Sequence, residues 1–425
     1  MVIEITPRAL SGSVNAPFSK SDAHRVLVAA SLCKTPTEIT VSCESEDIRA
    51  TVRCLESLGA RLGSLDESGM RYRMEPIPAQ GIAPPILDCG ESGTTLRLLL
   101  PVVAALGINA KFMAHGRLPQ RPLGELTSAL EKNGAHFSAA TLPFELSGKL
   151  KPGEFCLPGN VSSQYISGLL FALPLLEGIG RIRLTTALES ASYVEMTRRT
   201  LETFGVRSTK TDGGYLVQGK QRFKSTESVA VEGDWSNAAF FLAAGALGGR
   251  VAVSGLSDTS LQGDRAIAQL LQSFGARVNT DGAGVSVSAE NLAALDIDVS
   301  EVPDLFPILA VVAAGAHGTT RLYNAARLRI KESDRIHAVA AMLAALGANA
   351  NELPDALEIT GKPRLIGGTV DGAGDHRIVM AAAMASILCE NPVTILGAEA
   401  VNKSYPHFFS DFNAIGGLIN VIYNG

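Results

Sequence analysis

The chain has 425 residues, 46% of them hydrophobic and 19% charged, with a formal net charge of −5. That length exceeds what one hydrophobic core holds and predicts two or three domains, while the composition excludes a disordered or fibrous protein. An acidic balance without a basic run argues against nucleic acid as a partner, so any cationic function is local.

The six cysteines, Cys33, Cys43, Cys54, Cys89, Cys156 and Cys389, lie far apart and form no Cys-x-x-Cys pair. That spacing predicts reduced thiols in a cytosolic protein, not disulfides or a zinc site. Glu4 and Arg8 fall within the first ten residues, so no secretory signal is expected. Apolar runs such as Ile378 to Cys389 are shorter than the roughly 18 residues a membrane span requires. A soluble cytoplasmic protein is expected.

In chain order, Leu-Glu-Ser-Leu-Gly-Ala at 55–60 is echoed at 130–135, 201–206, 271–276 and 343–348, and more weakly at 412–417. The glycines of these copies, Gly59, Gly134, Gly205, Gly275, Gly347 and Gly416, are 75, 71, 70, 72 and 69 residues apart. The chain is therefore read as six units of about 70 residues. Each glycine is expected to end an amphipathic helix as a left-handed C′ residue and to be followed by β-structure. Upstream of each lies a second kind of helix, apolar on nearly every face and hence buried, such as Phe306-Pro-Ile-Leu-Ala-Val-Val-Ala-Ala. A strand follows each buried helix, giving a βαβαββ pattern per unit.

Polar residues open every buried helix: Ser19-Lys20-Ser21, Glu91-Ser92-Gly93-Thr94, Ser162-Ser163-Gln164, Asp234 to Asn237, Asp304, and Asp375-His376-Arg377. Ordinary N-capping explains the Ser, Asp and Asn residues but not Lys20, Arg25, Gln164, His376 or Arg377. Helix starts with added cations suggest anion binding. The densest stretch runs from Arg327 to Arg335, with four cations and two carboxylates. Ser333 is the expected N-cap of the helix that follows, with Asp334 in its first turn, so Lys331 and Glu332 fall in the loop before it.

These motifs together resemble the 5-enolpyruvylshikimate-3-phosphate (EPSP) synthase family over the whole chain. The resemblance is carried by Pro17 to Ser21 with Arg25, Gly90 to Thr94, Arg121-Pro122, Val161 to Gln164, Gln262-Gly263-Asp264, Pro303-Asp304, Arg329 to Arg335, Asp375 to Arg377 and Lys403. It implies an α/β fold: a two-lobed inside-out α/β barrel of six βαβαββ repeats, three per lobe, closing like a clam shell. Residues 16–230 would form the first lobe, and 1–15 with 231–425 the second. The implied reaction moves the enolpyruvyl group of phosphoenolpyruvate to the 5-hydroxyl of shikimate 3-phosphate.

By the matching motifs, Lys20, Ser21, Arg25, Ser162, Ser163, Gln164, Ser190, Asp304 and Lys331 would hold shikimate 3-phosphate. Lys20, Gly93, Arg121, Gln164, Arg335, Arg377 and Lys403 would hold phosphoenolpyruvate, and Asp304, Glu332 and Lys20 would be catalytic. No metal or organic cofactor is implied, and the expected partners are these small molecules alone, bound by a monomer without nucleic acid or membrane. The inhibitor glyphosate is expected to compete with phosphoenolpyruvate. Phe18, Glu91, Leu98 and Arg327 depart from the commonest family pattern.

Two other functions were weighed. The transferase that acts on UDP-N-acetylglucosamine uses the same donor, but usually carries a cysteine in the loop here spanning His115 to Arg121, where this chain has none. A non-enzymatic repeat scaffold would repeat its polar residues, whereas here they differ from unit to unit.

Overall fold

The computed structural model describes residues 1–67, 69–79, 83–282 and 284–423. The chain divides into two compact units, a contiguous one, Lys20–Val231, and a discontinuous one, Met1–Ser19 with Glu232–Gly425. Among the described residues there are twelve α-helices: α1 (Lys20–Ser31), α2 (Glu46–Ser57), α3 (Gly93–Leu106), α4 (Gly124–Glu131), α5 (Ser163–Ala172), α6 (Ala191–Thr203), α7 (Trp235–Gly248), α8 (Ile267–Phe274), α9 (Phe306–Ala314), α10 (Arg335–Ala345), α11 (His376–Ala385) and α12 (Phe408–Ala414).

The odd-numbered helices are the apolar ones. Every residue of α9 and α11 is buried, as is α7 from Trp235 to Ala246. Helices with no polar face gain nothing from solvent and fill the core of each unit. Each even-numbered helix runs into one of the repeated glycines, and all six glycines have positive φ, between 74° and 107°. At the end of α2, for example, Ala60 N–H donates to Leu55 O and Gly59 N–H to Glu56 O, closing the last turn. A side chain at such a position is strained, which is why glycine recurs there.

Among the described residues each unit contains three four-stranded sheets built to one plan. In the sheet of the second repeat, Ile86–Asp88 runs parallel to Ala110–Met113, which pairs antiparallel with Phe144–Gly148, and that strand with Ala135–Phe137. Three strands are supplied from a distance. Ser228–Ala230 runs parallel to Thr37–Thr40, Ser11–Asn15 parallel to Arg250–Ser254, and Val2–Ile5 lies between Val393–Leu396 and Ile419–Tyr423. Each time the chain leaves a unit it leaves behind a strand that completes one of that unit's sheets. Residues Pro17 to Ser19 stay with the discontinuous unit because their backbone pairs with Glu232 to Asp234: Ser19 N–H donates to Glu232 O and Asp234 N–H to Pro17 O. No helix among the described residues is long and apolar enough to cross a membrane.

Candidate active site

In the contiguous unit the predicted residues gather where α1, α3 and α5 begin. Ser92 caps α3 by accepting from Thr95 N–H, and Ser162 caps α5 by accepting from Gln164 N–H. Arg25, 2% exposed, is aimed by three bonds: Nε donates to Thr197 Oγ1 at 2.8 Å, and the terminal nitrogens donate to Ser21 O and, at 2.9 Å, to Tyr193 O. All three acceptors are neutral, so they orient the guanidinium without cancelling its charge. Burial pushes its pKa down to about 10, with Asp22 opposing.

Lys20 Nζ lies 3.0 Å from Asp47 Oδ2, with both side chains largely shielded. Gln164 is held from two sides: Arg97 donates to its Oε1 at 3.0 Å, and its Nε2 donates to Thr94 Oγ1 at 2.7 Å. Gly93 opens α3 so close to these groups that a Cβ there would fall 2.6 Å from a terminal nitrogen of Arg97 and 2.9 Å from one of Arg121. Gly93, Arg97, Arg121 and Gln164 thus form one group. Ser163 is the buried first residue of α5, and Ser190, also buried, precedes α6 with φ at 53°. That left-handed conformation is uncommon for serine and is kept only where the surroundings impose it.

The discontinuous unit uses charge pairing instead. Arg335 opens α10 and is 1% exposed, with Nε 2.9 Å from Asp375 Oδ2 and its terminal nitrogens 2.7 Å from Asp304 Oδ1 and 2.8 Å from Glu332 Oε2. One guanidinium therefore fixes three carboxylates. Arg377 approaches the other oxygen of Asp304 at 3.2 Å. Burial alone would raise the pKa of Asp304, but Arg377, Arg335 and Lys331 outweigh it and hold the carboxyl well below the usual range. Asp375, the cap of α11, is likewise opposed by burial and lowered by Arg335.

Burial pushes Lys331 down to about 7, against the pull of Asp304, with Arg327 and Arg335 lowering it further and Glu332 raising it. An amine that titrates near neutrality among carboxylates of fixed position is suited to proton transfer. Lys403 donates from Nζ to Gly374 O at 2.8 Å, in the turn that leads to Asp375 and α11.

Several readings of the sequence need correction. Asp334, not Ser333, caps α10, accepting from His337 N–H at 3.1 Å, while Ser333 Oγ donates to Asp375 Oδ2 at 3.0 Å. Asp304 does not cap α9; it lies in the 3-10 turn Pro303–Leu305, with its carboxylate turned to Arg335 and Arg377. Of the four cations between Arg327 and Arg335, Arg327 donates to Ser300 O, and Arg329 is engaged by Asp334, Glu352 and two backbone carbonyls. Arg329 serves the loop, while the charge of Arg327 also acts on Lys331.

Sequence reasoning also left out Asp47, Arg97 and Asp375 as site residues. Asp264, named in the Gln262-Gly263-Asp264 motif but given no role, is a buried carboxyl that accepts from Ser236 Oγ and is pushed up to about 7 by burial and by Asp304. The signal for Arg97 was its place one turn beyond Gly93 on α3. Among the departures from family pattern, Phe18 pairs its backbone with Gly233, Leu98 is fully buried, and the Glu91 carboxylate lies against Gly116.

The fold and these two sets of residues define a six-repeat α/β protein whose buried helix starts carry oriented cations and, in one unit, a carboxylate and lysine cluster suited to proton transfer. A family profile described as EPSP synthase (3-phosphoshikimate 1-carboxyvinyltransferase) matches residues 5–412. The 3-phosphoshikimate 1-carboxyvinyltransferases of Clostridium novyi and Clostridium acetobutylicum are each 42% identical to this chain, with 98% of either partner covered. The solved structure of the EPSP synthase of Acinetobacter baumannii superposes with a TM-score of 0.82 at 26% identity, covering 99% of this chain and 100% of that one. The chain belongs to the EPSP synthase family.

Proposed function

We propose that this chain transfers the enolpyruvyl group of phosphoenolpyruvate to the 5-hydroxyl of shikimate 3-phosphate, in the cytoplasm, releasing phosphate. The observation that carries this reading is the cluster of Asp304, Glu332 and Asp375 on Arg335, beside a Lys331 that titrates near neutrality. C3 of the enol takes a proton from Glu332 as the acceptor oxygen attacks C2 and its hydroxyl proton passes to Asp304. The tetrahedral adduct then expels phosphate, which leaves with the proton held by Asp304, while Glu332 recovers a proton from C3. Asp304 is kept ionised by its neighbours, which weakens it as a base, so the hydroxyl proton passes to it only as the new C2–O bond makes that proton acidic. Lys331 is suited to supply Glu332 with its proton before the first step, because neither form of the amine is strongly favoured at neutral pH.

Binding is assigned residue by residue. Lys20, Ser21, Arg25, Ser162, Ser163, Gln164 and Ser190 hold shikimate 3-phosphate, together with Asp304 and Lys331. Gly93, Arg121, Gln164, Arg335, Arg377 and Lys403, with Lys20, hold phosphoenolpyruvate. Arginine suits both ligands because its planar fork engages two oxygens of one carboxylate or phosphate. The test is phosphate release from phosphoenolpyruvate by the purified protein. Release is expected with shikimate 3-phosphate and not with UDP-N-acetylglucosamine; release with the nucleotide sugar, or without any acceptor, would overturn the reading.

A further inference from the structure

The loop that carries Lys331 and Glu332 is closed on itself by one side chain, bonded to Asp334, Glu352 and the carbonyls of Leu353 and Pro354. Arg329 sits in the 3-10 turn Ala326–Ile330, immediately before Lys331, and five hydrogen bonds leave its guanidinium. One terminal nitrogen reaches both oxygens of Asp334, at 3.2 and 2.9 Å, and Glu352 Oε1 at 2.9 Å. The other donates to Leu353 O at 2.7 Å, and Nε donates to Pro354 O at 2.8 Å. Glu352 is itself held by His337 Nδ1, at 3.0 Å.

Asp334 is also the cap of α10, so the Arg329 to Asp334 contact joins the residue before the loop to the residue after it. Four residues, Ile330, Lys331, Glu332 and Ser333, are left between those fixed points. The same guanidinium ties that closed loop to the turn between the strands Asn349–Glu352 and Leu357–Thr360. Only a planar fork satisfies two carboxylates and two carbonyls at once; a lysine ammonium has three protons and no plane.

We infer that Arg329 is a positioning residue, whose clasp on Asp334 and the Glu352 to Pro354 turn sets the direction of the Lys331 and Glu332 side chains for proton transfer. The inference rests on the reaction proposed above. A proton donor displaced by about an ångström loses on the order of 10²-fold in rate even when the displacing change lies away from the chemistry. Arg329 is not among the residues assigned to either ligand, but Lys331 is assigned to shikimate 3-phosphate, so the loss of Arg329 should spare the donor and reach the acceptor only through Lys331. The clasp therefore predicts a fall in kcat with little change in the KM for phosphoenolpyruvate.

The experiment compares wild type, Arg329→Lys and Arg329→Ala in steady-state phosphate release, with thermal unfolding of each. Wild-type turnover tests the proposed reaction; the variants test the clasp. Expected is a loss of about 10- to 100-fold in kcat in both variants, with the KM for phosphoenolpyruvate within about threefold of wild type. Dilute guanidinium should restore part of the Arg329→Ala rate, since Arg329 is 29% exposed and the vacated fork is reachable. A kcat of Arg329→Lys close to wild type would overturn the inference. So would a loss in Arg329→Ala that guanidinium leaves untouched while unfolding temperature falls in proportion. If Arg329→Ala does not fold, Arg329→Lys alone decides through its ratio of kcat to KM effects.

Discussion

The two units solve one electrostatic problem in different ways. In the contiguous unit, Arg25 is satisfied by a hydroxyl and two carbonyls, and Arg97 donates to the carbonyl of Pro122 and the amide oxygen of Gln164. Neutral acceptors fix the guanidinium of Arg25 without bonding it to a carboxylate, whereas Lys20 in the same unit is paired with Asp47. In the discontinuous unit, Arg335 and Arg377 are bonded to carboxylates. There the arginines hold acids in defined positions and protonation states. Arg25 is thus fixed by neutral bonds, whereas Arg335 and Arg377, assigned to phosphoenolpyruvate as well, also hold the acids of the proposed proton transfer.

The sharpest way to break that comparison is to remove a proton-transfer group while keeping its shape. Glu332→Gln can still accept from Arg335 through its amide oxygen but exchanges no proton. Loss of one general acid or base costs about 10²- to 10⁴-fold, or roughly 3 to 5 kcal/mol of barrier. Its kcat should fall by that order while shikimate 3-phosphate affinity, measured by calorimetry, changes little. Asp304→Asn should lose rate similarly and lose some acceptor affinity as well. Retention by Glu332→Gln of more than about a tenth of wild-type kcat would end the assignment.

The contiguous unit should answer in KM. In Gly93→Ala the new methyl meets the ends of Arg97 and Arg121, and Arg97 has little room to yield because it is bonded to Gln164 and Pro122 O. The expected result is a KM for phosphoenolpyruvate raised by about tenfold, equivalent to about 1.4 kcal/mol, with weaker inhibition by glyphosate competing for that site. Unchanged KM and inhibition would separate Gly93 from the donor.

What could be read from the sequence follows the range of the interactions. The six C′ glycines and the buried helices depend on local backbone and local apolarity, and they stand where the repeat put them. The exchanged strands, such as Val2–Ile5 beside Val393–Leu396, depend on pairing across almost the whole chain, which no local pattern records. The same limit governs the site. Arg329 and Arg335 look alike in sequence, yet one bonds a turn some 25 residues away while the other gathers three acids. Ser333 and Asp334 are equally good caps on paper, and the choice fell to Asp334 because the buried Asp375 takes the hydroxyl of Ser333.

A smaller effect concerns pH. If the charged form of Lys331 holds the acceptor, then with a pKa of about 7 in the free protein its affinity should fall as pH rises through 7. Binding near neutrality should also take up a proton, visible as a dependence of calorimetric heat on buffer ionisation enthalpy. Lys331→Arg, which stays charged throughout, should flatten both responses. A wild-type affinity independent of pH between about 6.5 and 8, a window that brackets this pKa, would place the charge of Lys331 outside acceptor binding.

The smallest expected effect tests whether neutral anchoring in the contiguous unit reaches into its core. His24 is fully buried on α1, with Nδ1 2.7 Å from Thr51 Oγ1; that hydroxyl is 2.6 Å from Thr95 Oγ1, which donates to Ser92 Oγ at 2.7 Å. The chain of hydroxyls ties α1, α2 and α3 together one turn from Lys20 and Arg25. Burial, and then the charges of Lys20 and Arg25, hold the His24 pKa well below its ordinary value of 6.5. The unfolded chain therefore binds a proton that the folded one refuses. Stability is complete above pH 6.5 and is lost as pH falls below it, by up to about 1.4 kcal/mol per pH unit for one group. His24→Asn keeps a hydrogen-bonding partner for Thr51 and cannot titrate, so it should remove one proton from the acid-limb slope of unfolding free energy against pH while leaving kcat near wild type. An unchanged slope between pH 6.5 and 5 would mean that His24 is protonated in the fold despite its burial and the charges of Lys20 and Arg25.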